Sequence, residues 1–471
     1  MVFSSTIFLF VFFPIILFGY YLIKEQYRNY WLLFASLIFF AWSQPNYLWI
    51  ILFNILINYY GAMLIDDLKI LRKYVLAITI ILNLGILYYF KYFDFTVDSI
   101  NKLFGCNIAL QNIILPIGIS FFTFQGISYV IDVYKEDVAV QKNVFKLALY
   151  IVLFPQLIAG PIVRYKDIVT EIDRRSVTLN DFAEGIERLI IGMAKKAILA
   201  NTLASTVDMI WKQGAADITW DIAWVGSIAY TLQIYFDFSG YSDMAIGLGR
   251  VFGFHFNENF NLPYISKNIS EFWRRWHISL STWFRDYLYI PLGGNRKKVY
   301  INLTIVFLLT GIWHGASWHF LIWGAWNGFF VLMERFIQVK RINKERDGGV
   351  RLRIVLSKVY TLFVVNLGWV LFRAPHTRNA IQFIMVMFGM RQSTKVGYTV
   401  FWYLDNWTVT IMILSIFFSS SIPLKINKSL KKCKQKKLME TIKCFLLLGL
   451  FYISLLRIVS GTYNPFIYFQ F

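Results

Sequence analysis

Apolar residues run in blocks of roughly fifteen to thirty along the whole chain, the range needed for helices that cross a bilayer singly or as hairpins. The blocks fall at residues 1–21, 30–43, 46–63, 74–91, 113–134, 144–163, 185–211, 221–236, 301–334, 356–373, 400–421 and 441–458. The 301–334 block is long enough for a helical hairpin. Together they predict an all-α, polytopic membrane bundle of about eleven to thirteen helices. Met1 to Tyr21 has neither a basic leading segment nor a small-residue cleavage site, so it reads as a span and not as a signal peptide. Gly160-Pro161 and Pro263 predict broken or re-entrant helices, which membranes tolerate only where protein or water lines the break. Thr178 to Lys196 has another texture. Thr178-Leu-Asn-Asp181 resembles a capping box with Asp in place of Glu, and Ile186, Leu189, Ile190 and Met193 then recur at helical spacing, which predicts a helix lying partly in the interface. With no internal repeat, low-complexity linker or composition break, the chain reads as one integral domain over residues 1–471.

Composition removes the soluble classes. The chain is 57% hydrophobic, 19% aromatic and 16% charged, with a mean hydropathy of +0.53, whereas a soluble domain carries about a quarter charged residues. A net charge of +20 would suggest nucleic-acid binding in a soluble protein. Here the cations cluster between apolar blocks, so they mark topology and no nucleic acid is expected. Lys24 and Arg28, Lys69 to Lys73, Lys340 to Lys358 and Lys425 to Lys437 belong on the cytoplasmic side. The connectors 92–112 and 374–399 suit the outer side, which places both chain ends outside. The tail Pro465-Phe-Ile-Tyr-Phe-Gln-Phe471 reads either as an interfacial aromatic belt or as a docking peptide. Cys106, Cys433 and Cys444 form neither a disulfide framework nor a zinc pattern.

In such a chain the informative residues are polar ones placed where apolar ones would cost less. Of the five histidines, His277 and His314 stand in unusual company. His277 lies in Ser270-Glu-Phe-Trp-Arg-Arg-Trp-His-Ile-Ser-Leu-Ser281; a continuous helix would stack it on Trp273 and Ser281 at i±4. The competing reading is an amphipathic interfacial helix whose Arg274, Arg275 and Arg285 reach lipid phosphates. His314 lies in Gly311-Ile-Trp-His-Gly-Ala-Ser-Trp-His319, inside an apolar stretch, where Gly311 and Gly315 allow close approach of backbone or substrate. His319 is about 140° around a helix from His314 and reads as a hydrogen-bonded structural residue; a metal site on His277, His314 and a carboxylate is the weaker alternative. Asp237 is expected to pair with a nearby arginine, and Asp243 either to pair likewise or to line a substrate path.

Pro116-Ile-Gly-Ile-Ser-Phe-Phe-Thr-Phe-Gln125, Ala159-Gly-Pro-Ile162, Asp237-Phe-Ser-Gly-Tyr-Ser-Asp-Met-Ala-Ile-Gly247, Phe272-Trp-Arg-Arg-Trp-His-Ile-Ser-Leu-Ser-Thr-Trp-Phe-Arg-Asp286, Tyr289-Ile-Pro-Leu-Gly-Gly294 and Gly311-Ile-Trp-His-Gly-Ala316 resemble, in order, the motifs of the membrane-bound O-acyltransferases. The resemblance covers nearly the whole chain, with a core at about 110–375, and is to the bacterial branch typified by alginate O-acetylation. It implies a bundle around a central pore or funnel, with His314 as the embedded histidine and general base and His277 orienting the donor or stabilising an oxyanion. It also implies Trp313, Trp276, Ser281, Arg285 and Asp243 as substrate-binding candidates. The donor would be cytosolic acetyl-CoA, with no bound cofactor and no metal. The acetyl group would pass through a membrane-anchored or extracytoplasmic partner to a polysaccharide acceptor outside the bacterial inner membrane. The competing functions are a secondary transporter or flippase of an envelope precursor, a scaffold without chemistry of its own, and D-alanyl transfer to teichoic acids.

Overall fold

The computed structural model describes residues 1–341, 350–391, 398–430, 435–461 and 467, and every regular element among them is a helix. Among the described residues five helices are long and apolar enough to cross a membrane: Pro45–Asp67, Arg72–Phe104, Trp318–Ile337, Leu352–Arg373 and Lys436–Ser460. Asn406–Ser419 and Ile422–Leu430, bent by 68° at a short break, form a sixth if taken as one span, and Phe8–Leu22 and Val299–His314 are shorter apolar helices. The chain is a multi-pass membrane protein. Several other apolar blocks form helices that bury polar side chains against protein. Ile119–Tyr134 buries Gln125 and Asp132, and Trp220–Val251 buries Gln233 and Asp237. One boundary differs from the hydropathy pattern: the connector expected from residue 92 is helix as far as Phe104, and the non-helical stretch begins at Gly105.

By backbone proximity the chain forms two compact units, residues 1–189 with 241–258, and residues 190–240 with 259–471. In the first, Phe3, Phe8, Phe39, Phe154 and Tyr241 pack ring on ring. Asn54, Asn58 and Asn83 close a buried side-chain network, with Asn54 Nδ2 donating to Asn83 Oδ1 at 2.7 Å and the Asn58 and Asn83 amides exchanging bonds at 3.0 Å. Such a clasp replaces water where none is at hand. The capping box forms at the start of Leu179–Ala194. Asp181 N donates to Thr178 Oγ1 at 3.1 Å and Thr178 N to Asp181 Oδ2 at 3.2 Å, and the Thr178 hydroxyl and amide hold the Asp181 carboxyl well below its usual range.

In the second unit the 301–334 block is the expected hairpin, Val299–His314 against Trp318–Arg341. Its closeness depends on two glycines. A Cβ at Gly311 would stand 2.4 Å from the Phe320 carbonyl oxygen, and one at Gly324 2.4 Å from that of Phe307. Beside it, Lys195–Ala200 forms one wide turn in the run from Leu179–Ala194 to Asn201–Trp211. That turn carries Lys196, whose Nζ meets Asp237 Oδ1 at 2.5 Å with both side chains buried. Asp237 was expected to find an arginine, and its partner is this lysine. Its other oxygen, Oδ2, accepts the backbone N–H of Ile467 at 2.9 Å. Ile467 is buried in the core of this unit and does not sit in a lipid-facing belt; the rest of the Pro465–Phe471 tail lies outside the described residues.

Two stability predictions follow from this packing. Gly324→Ala should destabilise the protein by about 1–3 kcal/mol, because the new methyl meets backbone that cannot turn aside. Thermal unfolding in detergent checks it, and an unchanged midpoint would mean a looser hairpin. Lys196→Met should cost about 3–5 kcal/mol by stranding a buried carboxylate, and adding Asp237→Asn should recover a large part of that loss in a double-mutant cycle.

Candidate functional site

His314 is the last residue of Val299–His314, and the chain leaves it through Gly315 in extended backbone. Gly315 has no room for a side chain, since a Cβ there would stand 2.2 Å from the Phe320 ring. The two glycines flanking His314 therefore serve helix and ring packing. The imidazole is 4% exposed and meets three rings edge-on: Trp313 at 5.0 Å, Trp323 at 5.0 Å and Phe372 at 5.2 Å between centroids. Edge-to-face contacts of this kind fix a ring's plane as well as its position.

His277 is held differently. The continuous helix expected through this segment does not form; the chain makes two short helices, Ile269–Arg275 and Ile278–Phe284, with His277 between them at φ +45°. The predicted stacking of His277 between Trp273 and Ser281 is therefore overturned, and Ser281 Oγ instead donates to the Trp273 carbonyl at 3.0 Å. A left-handed conformation is costly for a residue with a Cβ and persists only where neighbours hold it. The neighbour is the strand-like stretch 259–261. Asn261 N donates to Arg275 O and Ile278 N to Asn259 O, both at 2.9 Å. Asn259 Oδ1 lies 3.1 Å from His277 Nδ1 and accepts from Ser279 N at 3.2 Å and Ser279 Oγ at 2.9 Å. At the other end, Glu334 of the hairpin caps Ile269–Arg275, accepting from Ile269 N at 2.7 Å and Ser270 N at 3.2 Å.

The two imidazoles share a wall. The Trp313 ring stands 5.9 Å from His277 and 5.0 Å from His314, and Phe238 closes the far side of His277 at 4.7 Å. Trp313, expected at the substrate, thus neighbours both histidines. Ser281 and Arg285 line a largely apolar groove of about 190 Å³ with Trp273, Phe284, Phe307 and Thr310, and Thr310 is one helical turn before His314. Arg285 Nε also donates to Asp286 Oδ1 at 2.7 Å. Trp276 is stacked at 5.6 Å on Phe272 and 4.8 Å from Trp369, whose ring stacks in turn on Trp323, so it supports the wall around His314. Asp243 belongs to the other unit and is ion-paired to Arg188 at 2.8 Å, the pairing that was one of the two roles expected of it. His319 is bonded to Ser317 Oγ at 2.8 Å, as expected of a structural histidine. Among the described residues no three His, Cys, Asp or Glu side chains form a metal-binding group.

Asn259, Glu334 and Lys196 are the participants that sequence reasoning missed. Lys196 carried a signal, because a carboxylate buried in an apolar run needs a cation, and a lysine ends the amphipathic stretch. Asn259 and Glu334 act from 18 and 65 residues away along the chain, across turns that no spacing rule spans.

The chain is similar to known proteins over most of its length. Residues 86–372 match the model of the membrane-bound O-acyltransferase family. The whole chain is 41% identical to a protein of Pseudomonas putida named "Probable alginate O-acetylase", covering 100% of both. A protein of the same name from Pseudomonas aeruginosa is 46% identical over 83% of this chain and 75% of its own length. The peptidoglycan O-acetyltransferase of Helicobacter pylori is 32% identical over 100% of this chain and 98% of its own. With a family match across the segment that contains His277 and His314 and relatives aligned end to end, the chain belongs to the membrane-bound O-acyltransferase family and is an O-acyltransferase.

Proposed function

We propose that this protein is an O-acetyltransferase of the bacterial inner membrane that takes an acetyl group from cytosolic acetyl-CoA and delivers it, through a membrane-anchored or extracytoplasmic partner, to a polysaccharide outside. The observation that carries the reading is the pair of buried imidazoles sharing the Trp313 indole. The end-to-end likeness to proteins named for alginate and peptidoglycan O-acetylation supports a polysaccharide as the final acceptor.

In this reading the acceptor hydroxyl lies against His314, whose imidazole takes its proton as the oxygen attacks the thioester carbonyl. The new C–O bond forms, the C–S bond breaks, and the CoA sulfur leaves with the electron pair and receives the proton from His314. His277 orients the donor. The aromatic rings around His314 exclude water, which would otherwise hydrolyse the thioester. The groove containing Ser281, Arg285 and Thr310 offers the donor an apolar approach to the His314 helix. A transporter would need charged side chains spread along a path. The buried ion pair of the second unit, Lys196–Asp237, is instead closed on itself and on the Ile467 amide. The aromatic composition of Pro465–Phe471 supports the partner's recruitment through that tail.

His314→Ala should abolish acetyl transfer from labelled acetyl-CoA in proteoliposomes, with folding and partner binding intact. Transfer at near wild-type rate would remove the histidine from the chemistry. Replacing Phe466, Tyr468, Phe469 and Phe471 with Ser, which leaves Ile467 and its bond to Asp237 in place, should reduce co-purification of the partner, and undiminished co-purification would rule the tail aromatics out as the docking element.

A further inference from the structure

We propose that Asn259 is a positioning residue that fixes the tautomer of His277, so that neutral His277 presents its Nε2 lone pair and acts as an acceptor. The inference rests on the reading of His277 as part of the acyl-transfer site and makes its role specific. Three bonds carry it. The backbone N–H of Ser279 can only donate, and it meets the side-chain atom of Asn259 at 3.2 Å, so that atom is the amide oxygen and not the nitrogen. The same oxygen lies 3.1 Å from His277 Nδ1. Two lone pairs do not bond, so Nδ1 carries the proton. A neutral imidazole has one N–H, and with it on Nδ1 the other ring nitrogen is the acceptor.

The surroundings favour this assignment. Ser279 Oγ also donates to Asn259 Oδ1, at 2.9 Å, so its proton is directed at the oxygen and not at Nδ1, from which Oγ is 3.4 Å away. Asn259 is 1% exposed and His277 fully buried, so water does not compete for either partner. The main chain of Asn259 holds the same turn through Ile278 N, which keeps the His277 ring and the Asn259 amide in register at an otherwise unfavourable φ.

The consequence is chemical. With Nδ1–H committed to Asn259, neutral His277 has no N–H left to donate to a developing oxyanion. It accepts a hydrogen bond from the donor's amide N–H, or takes up a proton, at Nε2. Of the two roles that the resemblance leaves open for His277, this selects donor orientation.

Solid-state NMR of the full-length protein in lipid vesicles, with ¹⁵N-labelled histidine and the His277 signal assigned by its loss in His277→Gln, reads the tautomer directly. The wild type should show Nδ1 protonated and Nε2 bare. Asn259→Ala should move the proton to Nε2 in a large share of molecules and lower acetyl transfer by roughly tenfold or more. Asn259→Asp, which keeps an oxygen facing both donors, should keep Nδ1 protonated. A wild-type proton on Nε2, or an unaltered His277 tautomer in Asn259→Ala, would overturn the assignment. If Asn259→Ala does not fold, the wild-type spectrum alone decides. The functional reading fails separately: His314→Ala leaves the Asn259–His277 bond in place, so persistent transfer in that variant would sink the chemistry without touching the tautomer.

Discussion

A polar group that leaves water inside a membrane protein has to find its partner within the chain, and this constraint organises the structure from its helices to its histidines. Lys196 and Asp237 satisfy it as an ion pair, and the spare oxygen of Asp237 is taken by the Ile467 amide. Asn54, Asn58 and Asn83 satisfy it as a closed network of amides. The broken segment around His277 satisfies it through Asn259 and Glu334, which occupy the donors freed where Ile269–Arg275 and Ile278–Phe284 begin. The break at His277 is thus stabilised where side chains from elsewhere in the unit meet peptide groups that it exposes.

The fold was legible where the physics is local. Apolar block length announced the Val299–His314 and Trp318–Arg341 hairpin, and the Thr178 and Asp181 pair announced the start of the helix that follows it. It was less legible where burial is by protein instead of lipid. Trp220–Val251 is a single helix of 32 residues that carries Asp221, Asp237, Asp243 and Arg250, so its apolar block at 221–236 understates it by half. The helix ending at Phe104 overran its expected limit for the opposite reason: Lys91 and Asp94 look like a loop in a hydropathy trace, yet each finds a partner, Ser120 for Lys91 and the 111–113 backbone for Asp94.

The site divides in the same way. That His277 and His314 belong together was implied by the motif resemblance; residue type marked His314 as costly in a bilayer and left His277 open between a cavity and an interfacial helix. How they are held was not. The helical template gave His277 the wrong neighbours, because the break at Trp276 and His277 is stabilised by a stretch that ends 16 residues earlier, at Asn261, and nothing in the local spacing encodes that pairing. Asp243, drawn to the site by its motif, is held by Arg188 in the other unit, a partner 55 residues away.

The two histidines are consequently supported by unlike means. His314 is set by a rigid hairpin whose glycines bring backbone against backbone, and its ring is caged by three aromatic edges. Shape, in the form of aromatic edges, holds it. His277 is set by hydrogen bonds at a strained turn, so its orientation and its proton are specified together by one amide. Trp313 stands near both rings, 5.9 Å from His277 and 5.0 Å from His314, so the hydrogen-bonded histidine and the caged one share an aromatic neighbour.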